Sequence, residues 1–119
     1  MAFREILEEV VASIDGSIAA TLMGTDGIAV EQHVRDGQLF DVEGLGAEYS
    51  KVIDEVKRAS AALNFGDVEE VVVSTASMDV ILRLVTPEYY IAFIVKNSAN
   101  LGRARYFLKK TASKALKEI

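Results

Sequence analysis

Three apolar segments follow one another between Val68 and Lys96, and only two or three residues separate each from the next. The segments are rich in valine, isoleucine and aromatic residues, which favour strands. Ala76 and Ser77 form the first link, and the second contains Pro87, whose fixed φ suits a turn. Because links this short cannot hold a crossover helix, the segments are predicted to form three neighbouring antiparallel strands.

An additional antiparallel pair is predicted around the dipeptide Asp26-Gly27. Two apolar runs flank it, and Asp-Gly is a strong hairpin signal because a type I′ turn requires positive φ at both central residues. The first strand of this pair, 17–23, is apolar on both faces and is predicted to be central. The second, 28–33, becomes polar towards its end, which suits an edge strand.

Three segments carry apolar residues at the helical period, namely 2–14, 42–64 and 101–119. The predicted element order is therefore α-β-β-α-β-β-β-α, in a single α+β domain over residues 1–119. Because 90–95 in the last strand is also apolar on both faces, the first and last strands should lie side by side in the centre. The expected sheet is five-stranded and antiparallel with strand order 2-1-5-4-3. The second helix should cover one face, and the first and third helices the other.

The third strand forms an exposed edge of that predicted sheet. Its residues Val71, Val72 and Val73 are β-branched, and neither proline nor lysine interrupts them. An open edge of this kind templates pairing with another strand, so two copies are expected to pair across a two-fold axis, with their second helices meeting nearby. The expected homodimer interface comprises Val71, Val72, Val73, Ser50, Ile53, Lys57 and Ala61. The alternative is a monomer whose edge is shielded by Glu69 and Glu70.

Charge is distributed unevenly along the chain. The formal net charge is −5, but the segment 101–119 holds six basic residues and one acidic residue, so it carries +5 and the first hundred residues carry −10. Two interpretations are open. The cations either cover a solvated helix face and suit the helix C-terminus, or they form a small basic patch for an acidic partner. An acidic chain of this kind is not expected to bind nucleic acid.

Features of secreted and membrane-inserted proteins are missing from the sequence. Arg4, Glu5, Glu8 and Glu9 interrupt the N-terminus, so no signal peptide is expected. No apolar run approaches the roughly 20 residues that span a bilayer, and the chain has no cysteine for disulfides. A cytoplasmic location without membrane insertion is therefore expected.

No set of residues converges on a catalytic site. His33 is the only histidine, has no nucleophile beside it and lies near a predicted edge, so a surface role is expected. Adjacent carboxylates such as Glu69 and Glu70 lie on opposite faces of a strand, so they do not converge on one catalytic site. Gly44 and Gly46 are not a phosphate-binding loop, because no lysine follows at the required spacing, and they are expected to fray the first turn of the second helix. We therefore predict no enzyme, no catalytic residue, no cofactor and no metal site.

Two stretches and the element order resemble a known family. The hairpin GSIAATLMGTDGIAV occupies 16–30, and the last helix opens as NLGRARYFLKKTASKAL from Asn100. Together with the order α-β-β-α-β-β-β-α, they resemble the roadblock/LC7 domain. The last helix is similar to that of the bacterial branch with the mutual gliding-motility proteins. Those proteins extend beyond the last helix, whereas this sequence ends at Ile119, and activity that needs such an extension is not expected of it.

The resemblance implies a non-enzymatic dimer that binds small Ras-like GTPases and modulates their nucleotide cycle or localisation. In this family the dimer forms through the third strand and the second helix, in agreement with the edge argument. The GTPase docks on the paired second helices. At the matching positions, the partner-binding residues expected here are Ala47, Lys51, Asp54 and Arg58.

Two other functions stay open from the sequence. One is a structural adaptor or scaffold subunit with no GTPase partner, present as a homodimer or paired with a paralogue. The other is a ligand-sensing domain with a polar-rimmed pocket, to which Tyr49, Tyr89 and Tyr90 could supply hydroxyl groups. The simpler interpretation of these tyrosines is amphipathic packing at the boundary of the core.

Overall fold

The elements predicted from the sequence all form, and their ends lie within two residues of the expected positions. The structure is a computed structural model that describes residues 2–119. In chain order its elements are α1 (Phe3–Ser13), β1 (Ser17–Gly24), β2 (Ala29–Val34), α2 (Val42–Ala62), β3 (Glu70–Ser74), β4 (Met78–Thr86), β5 (Tyr89–Lys96) and α3 (Leu101–Glu118).

The five strands form one antiparallel sheet in the order β2-β1-β5-β4-β3, as predicted. β1 and β5 are its central strands, since all eight residues of β1 and the six from Tyr90 to Val95 in β5 are buried. Burial on both faces explains why neither strand alternates between polar and apolar residues. β2 and β3 form the two edges of the sheet.

Alternating side chains of the central strands contribute to two separate hydrophobic clusters, one on each face of the sheet. On one face Leu22 and Phe93 pack with the inward sides of α1 and α3. On the other face Met23 and Tyr90 pack with Ile53 of α2. The predicted arrangement, with α1 and α3 opposite α2, is therefore confirmed.

The turn between β1 and β2 differs from the predicted type I′ turn. Gly27 has a positive φ of 89°, but Asp26 has no positive φ. Gly27 N donates to Gly24 O at 2.9 Å, and Gly24 N donates to Ile28 O at 2.9 Å. These bonds describe a longer loop, a type I turn followed by a glycine in the left-handed conformation. The predicted hairpin is thus confirmed, but the predicted turn type is wrong.

Arg35, just after β2, ties this strand to the C-terminal end of α1. Its Nη2 donates to the backbone oxygens of Val11 at 2.8 Å and Ile14 at 3.0 Å, and to Ser17 Oγ at 2.6 Å. A cation is favourable there, because the last carbonyl groups of a helix are unpaired and carry partial negative charge. Arg35 thus adds a charged donor to acceptors that Ser17 also serves, since Ser17 Oγ donates to Val11 O and Ser17 N donates to Ile14 O. It fixes the helix against the hairpin.

Gly46 lies on the buried side of α2, where it contacts the turn between β1 and β2. A Cβ added at this position would overlap the carbonyl oxygen of Gly27 and would lie 3.0 Å from the Met23 side chain. Only glycine lets the helix approach the turn this closely. The expectation that Gly44 and Gly46 fray the first turn of α2 is wrong, because both are helical and the Asp41 carboxylate caps Gly44 N at 2.9 Å.

Gly46→Ala should destabilise the protein, although alanine is normally the better helix former. In a helix interior this exchange usually stabilises by roughly 0.5–1 kcal/mol. Here a methyl group forced against the turn should lower the free energy of unfolding by about 1–3 kcal/mol, measured by urea unfolding. Gly102→Ala in α3 is the matched control, since its Cβ would meet only Asn100 Oδ1 at 3.6 Å. Equal losses in the two variants would contradict the close-contact explanation.

Candidate interaction surfaces

The backbone of β3 leaves the outer side of this edge strand open. A backbone hydrogen bond lies at each end of the pairing between β3 and β4. Leu84 N donates to Glu69 O at 3.0 Å, and Thr75 N donates to Met78 O at 2.9 Å. Because bonded positions alternate in an antiparallel ladder, the N–H and C=O groups at positions 70, 72 and 74 face away from β4. No strand within residues 2–119 lies on that side. Three successive backbone positions can therefore pair with another strand.

The side chains of β3 divide between the two faces of the sheet. Val71 and Val73 pack against the cluster under α2, whereas Val72 lies opposite Ile81 on the other face and is 36% exposed. Glu70 shares that face and is held by Arg105 of α3 at 2.7 Å. This ion pair draws Glu70 towards α3, so its carboxylate does not screen the open edge.

The four residues expected to bind a partner lie in one row along α2. Ala47, Lys51, Asp54 and Arg58 follow the spacing of a single helical face, and all four are exposed. Arg58 donates to the Glu55 carboxylate at 2.7 Å, and this hydrogen bond raises the pKa of Arg58 and lowers the pKa of Glu55. The row presents small and charged side chains of both signs to the surface.

The helix residues expected in the dimer interface divide into inner and outer positions. Ile53 is fully buried and Ser50 is 6% exposed, so both face the sheet of their own chain. Lys57 Nζ donates to the backbone oxygen of Pro87 in the turn between β4 and β5, and Ala61 is exposed. Only Lys57 and Ala61 lie where a second chain could reach them.

Two apolar side chains at the end of α2 are exposed, which the helical pattern of the sequence does not predict. Asn64 ends the helix with a positive φ of 56°, and its neighbours Leu63 and Phe65 are 61% and 78% exposed. The end of α2, the segment leading into β3 and the end of β4 enclose a cleft of about 490 Å³, which Ala61 and Val68 help to line. Neighbouring apolar side chains this exposed indicate a contact surface. The signal in the sequence was a phenylalanine directly after a residue that stops the helix.

Tyr90 is a core residue, not the boundary residue that the sequence suggested. It is fully buried, and its hydroxyl forms a 2.8 Å hydrogen bond with the Ser50 hydroxyl. Burial raises the pKa of Tyr90, an effect that the Ser50 hydrogen bond opposes. Tyr49 and Tyr89 are half-buried and line different clefts. The three hydroxyl groups therefore do not converge on one ligand pocket.

The described residues contain neither a metal-binding cluster nor a helix suited to a bilayer. Among residues 2–119, no three histidine, aspartate or glutamate side chains are grouped to hold a metal ion. His33 lies on edge strand β2, opposite Ala20. No helix within that range is both long and apolar enough to cross a membrane.

Solved structures of proteins from several bacteria have the same fold. The crystal structure of MglC from Myxococcus xanthus is 34% identical in sequence, each chain covers 100% of the other, and the TM-score is 0.73. The roadblock/LC7 domain from Streptomyces avermitilis is 18% identical with a TM-score of 0.83, over 93% of this chain and 92% of that one. The gliding protein MglB from Thermus thermophilus is 14% identical with a TM-score of 0.88, over 97% and 86%.

The likeness to MglC has the greatest weight of these comparisons. No protein-family model matches the sequence, and no curated protein matches it. The identity with MglC extends over both whole chains and is more than twice that with the MglB structure. The two less similar structures share the fold, including the named roadblock/LC7 domain. The chain therefore belongs to the roadblock/LC7 family.

Proposed function

We propose that this protein is a non-enzymatic homodimer of the bacterial cytoplasm that binds a small Ras-like GTPase and modulates its nucleotide cycle or localisation. The observation that carries the proposal is the open edge of β3, which accompanies exposed apolar side chains at the end of α2. Roadblock/LC7 dimers use this strand and this helix, and their GTPases dock on the paired helices. The same elements are available for both contacts here.

The open positions of β3 suggest how two copies would pair. A two-fold axis through Val72 aligns position 70 of one copy with position 74 of its partner and uses all three outward-facing backbone positions. An axis through Val71 or Val73 aligns only two of the three. Pairing centred on Val72 therefore forms the most hydrogen bonds and joins the two five-stranded sheets.

Such pairing would bring the α2 helices of the two copies to the same face of the joined sheet. Val71 and Val73 lie on that face, so the end of α2, with Leu63 and Phe65, would lie towards the partner copy. Burial of these exposed side chains would contribute about 25 cal/mol per Å² of apolar surface. The exposed row of α2, which consists of Ala47, Lys51, Asp54 and Arg58, would remain open to a GTPase in each copy.

Capture of small GTPases tests this function and its docking face. The immobilised protein is incubated with lysate of its own organism, in parallel with GDP and with a non-hydrolysable GTP analogue, and a small GTPase should be enriched with one nucleotide only. Arg58→Glu should reduce the captured GTPase at least about tenfold, because it reverses a charge within the docking row. The mass of the dimer should not change. The matched control is Arg4→Glu, at an exposed position of α1 on the opposite face.

Three outcomes would contradict parts of the proposal. Equal capture with both nucleotides, or capture of other proteins only, would favour a structural adaptor or scaffold subunit without a GTPase partner. An equal loss in Arg4→Glu and Arg58→Glu would exclude α2 as the docking face. Assembly with a paralogue in place of self-association would make the protein one half of a heterodimer.

A further inference from the structure

The outer row of α3 carries basic and uncharged side chains but no acidic one. It is formed by Arg103, Tyr106, Lys110, Ser113 and Lys117, which follow one helical face and are all exposed. At about 1.5 Å per residue, the row is about 21 Å long. The rest of the chain has an excess of acidic residues, so this row concentrates positive charge on an otherwise acidic protein.

Two basic residues on the flanks of the row are neutralised within the chain. Arg105 pairs with Glu70 of β3 at 2.7 Å, and Lys114 pairs with Glu9 of α1 at 2.9 Å. The basic residues of α3 that have no carboxylate at salt-bridge distance among residues 2–119 are Arg103, Lys109, Lys110 and Lys117. Their charge is thus available to an external anion.

Two ring contacts position cations of this row. The guanidinium carbon of Arg103 lies 5.1 Å from the centre of the Phe107 ring, and Lys110 Nζ lies 4.6 Å from the centre of the Tyr106 ring. A cation–π contact attracts the cation without neutralising its charge. Because the contacts restrict both side chains, less entropy is lost when they bind an anion.

The charge of the neighbouring helix determines which kind of anion fits. α1 packs beside α3 on the same face of the sheet and exposes three carboxylates, Glu5, Glu8 and Glu9, against a single cation, Arg4, which pairs with Glu8 at 3.4 Å. A flat anionic membrane would contact both helices and would be repelled by these carboxylates. A narrow anionic segment can follow α3 alone. Charge complementarity therefore favours an acidic polypeptide over a lipid surface.

We propose that the outer row of α3 binds an acidic segment of a partner protein. An extended segment of about six or seven residues matches the length of the row, at about 3.3 Å per residue. The row lies on the face of the sheet opposite α2, so this segment and a GTPase can be bound at the same time. The proposal does not depend on the GTPase, since it uses only the charges of α3.

Binding of a labelled peptide of about seven glutamates, followed by fluorescence anisotropy at low salt, tests the proposal. The glutamate peptide should bind, and a glutamine peptide of the same length should not. Lys110→Glu with Lys117→Glu should weaken binding about tenfold or more, because attraction becomes repulsion at two positions. The matched control, Lys51→Glu with Arg58→Glu, makes the same charge change on α2 and should bind normally. Binding should also disappear in about 1 M salt, where the Debye length is about 3 Å.

Several results would overturn this inference. Equal binding of the glutamate and glutamine peptides would show that charge is not recognised, and equal weakening by both double variants would show that only net charge matters. Binding to vesicles of phosphatidylserine and phosphatidylcholine, lost in the α3 variant, would assign the row to a membrane. A concentration-dependent increase in mass that the α3 variant abolishes would assign it to a second copy of this chain.

Discussion

Val72→Lys should convert the proposed dimer into a folded monomer. With the two-fold axis at Val72, the two substituted side chains would lie directly opposite each other, about 5.5 Å apart at Cα. Like charges placed opposite each other cost several kcal/mol, so the dissociation constant should rise about a hundredfold. The fold should survive, because Val72 is on an edge strand and is 36% exposed. Mass measured by analytical ultracentrifugation over a dilution series would show the change.

The opposite edge of the sheet provides the control for this variant. Val30 of β2 is 49% exposed, and Val30→Lys adds the same charge to the other edge strand without touching β3. Its mass should stay that of the dimer. An unchanged mass in Val72→Lys, or an equal loss of dimer mass in both variants, would exclude pairing between the β3 strands of the two copies.

Cysteine crosslinking measures the register in which the two β3 strands pair. The chain has no cysteine, so Val72→Cys introduces the only thiol, and a Cα separation of about 5.5 Å lies within the disulfide range. Val72→Cys should therefore crosslink rapidly under mild oxidation, and Val71→Cys should crosslink poorly. Faster crosslinking of Val71→Cys would move the axis away from Val72.

Arg35→Met should be the most destabilising single substitution outside the hydrophobic core. Methionine keeps much of the side-chain volume but removes the donor that serves Val11 O, Ile14 O and Ser17 Oγ. Hydrogen bonds to charged groups contribute about 1.5–3 kcal/mol each, and after the substitution Val11 O and Ile14 O still accept from Ser17 but lose their charged donor. We expect a loss of about 3 kcal/mol in the free energy of unfolding, and a melting temperature lower by roughly 10 °C.

Arg58→Met is the matched control for this effect. It makes the same chemical change in a guanidinium whose ion pair with Glu55 lies on the exposed face of α2, where solvent screens the interaction. Its melting temperature should equal that of the unchanged protein. Equal melting temperatures for Arg35→Met and Arg58→Met would show that the anchor between β2 and α1 contributes nothing to stability.

The topology could be predicted because it depends on patterns that extend over whole segments. Apolar runs on both faces identified β1 and β5 as central strands, and the short links before β4 and β5 left only antiparallel neighbours. Asp41 directly precedes the helical period that begins at 42, and its carboxylate accepts a hydrogen bond from Gly44 N at 2.9 Å, as an N-cap residue does.

Features that depend on contacts between distant residues could not be predicted. Gly46 is spaced like an ordinary helix residue, and only the packed fold brings it against the turn at Gly27. Ser50 was expected at the dimer interface, but its small hydroxyl side chain gave no sign of the hydrogen bond with Tyr90 that keeps it inside the fold. Helical spacing determines that Ala47, Lys51, Asp54 and Arg58 share one exposed face, but their role in binding a partner is implied by the family resemblance and stays a prediction.

The two hydrophobic clusters on opposite faces of the sheet share no side chain. Each strand residue contributes to one cluster only, so a substitution that reshapes the layer of α2 leaves the packing under α1 and α3 largely as it was. The two outer surfaces can therefore diverge separately during evolution. Substitutions that alter the proposed contact surface on one face need not disturb the proposed surface on the other, since the central strands separate the two layers.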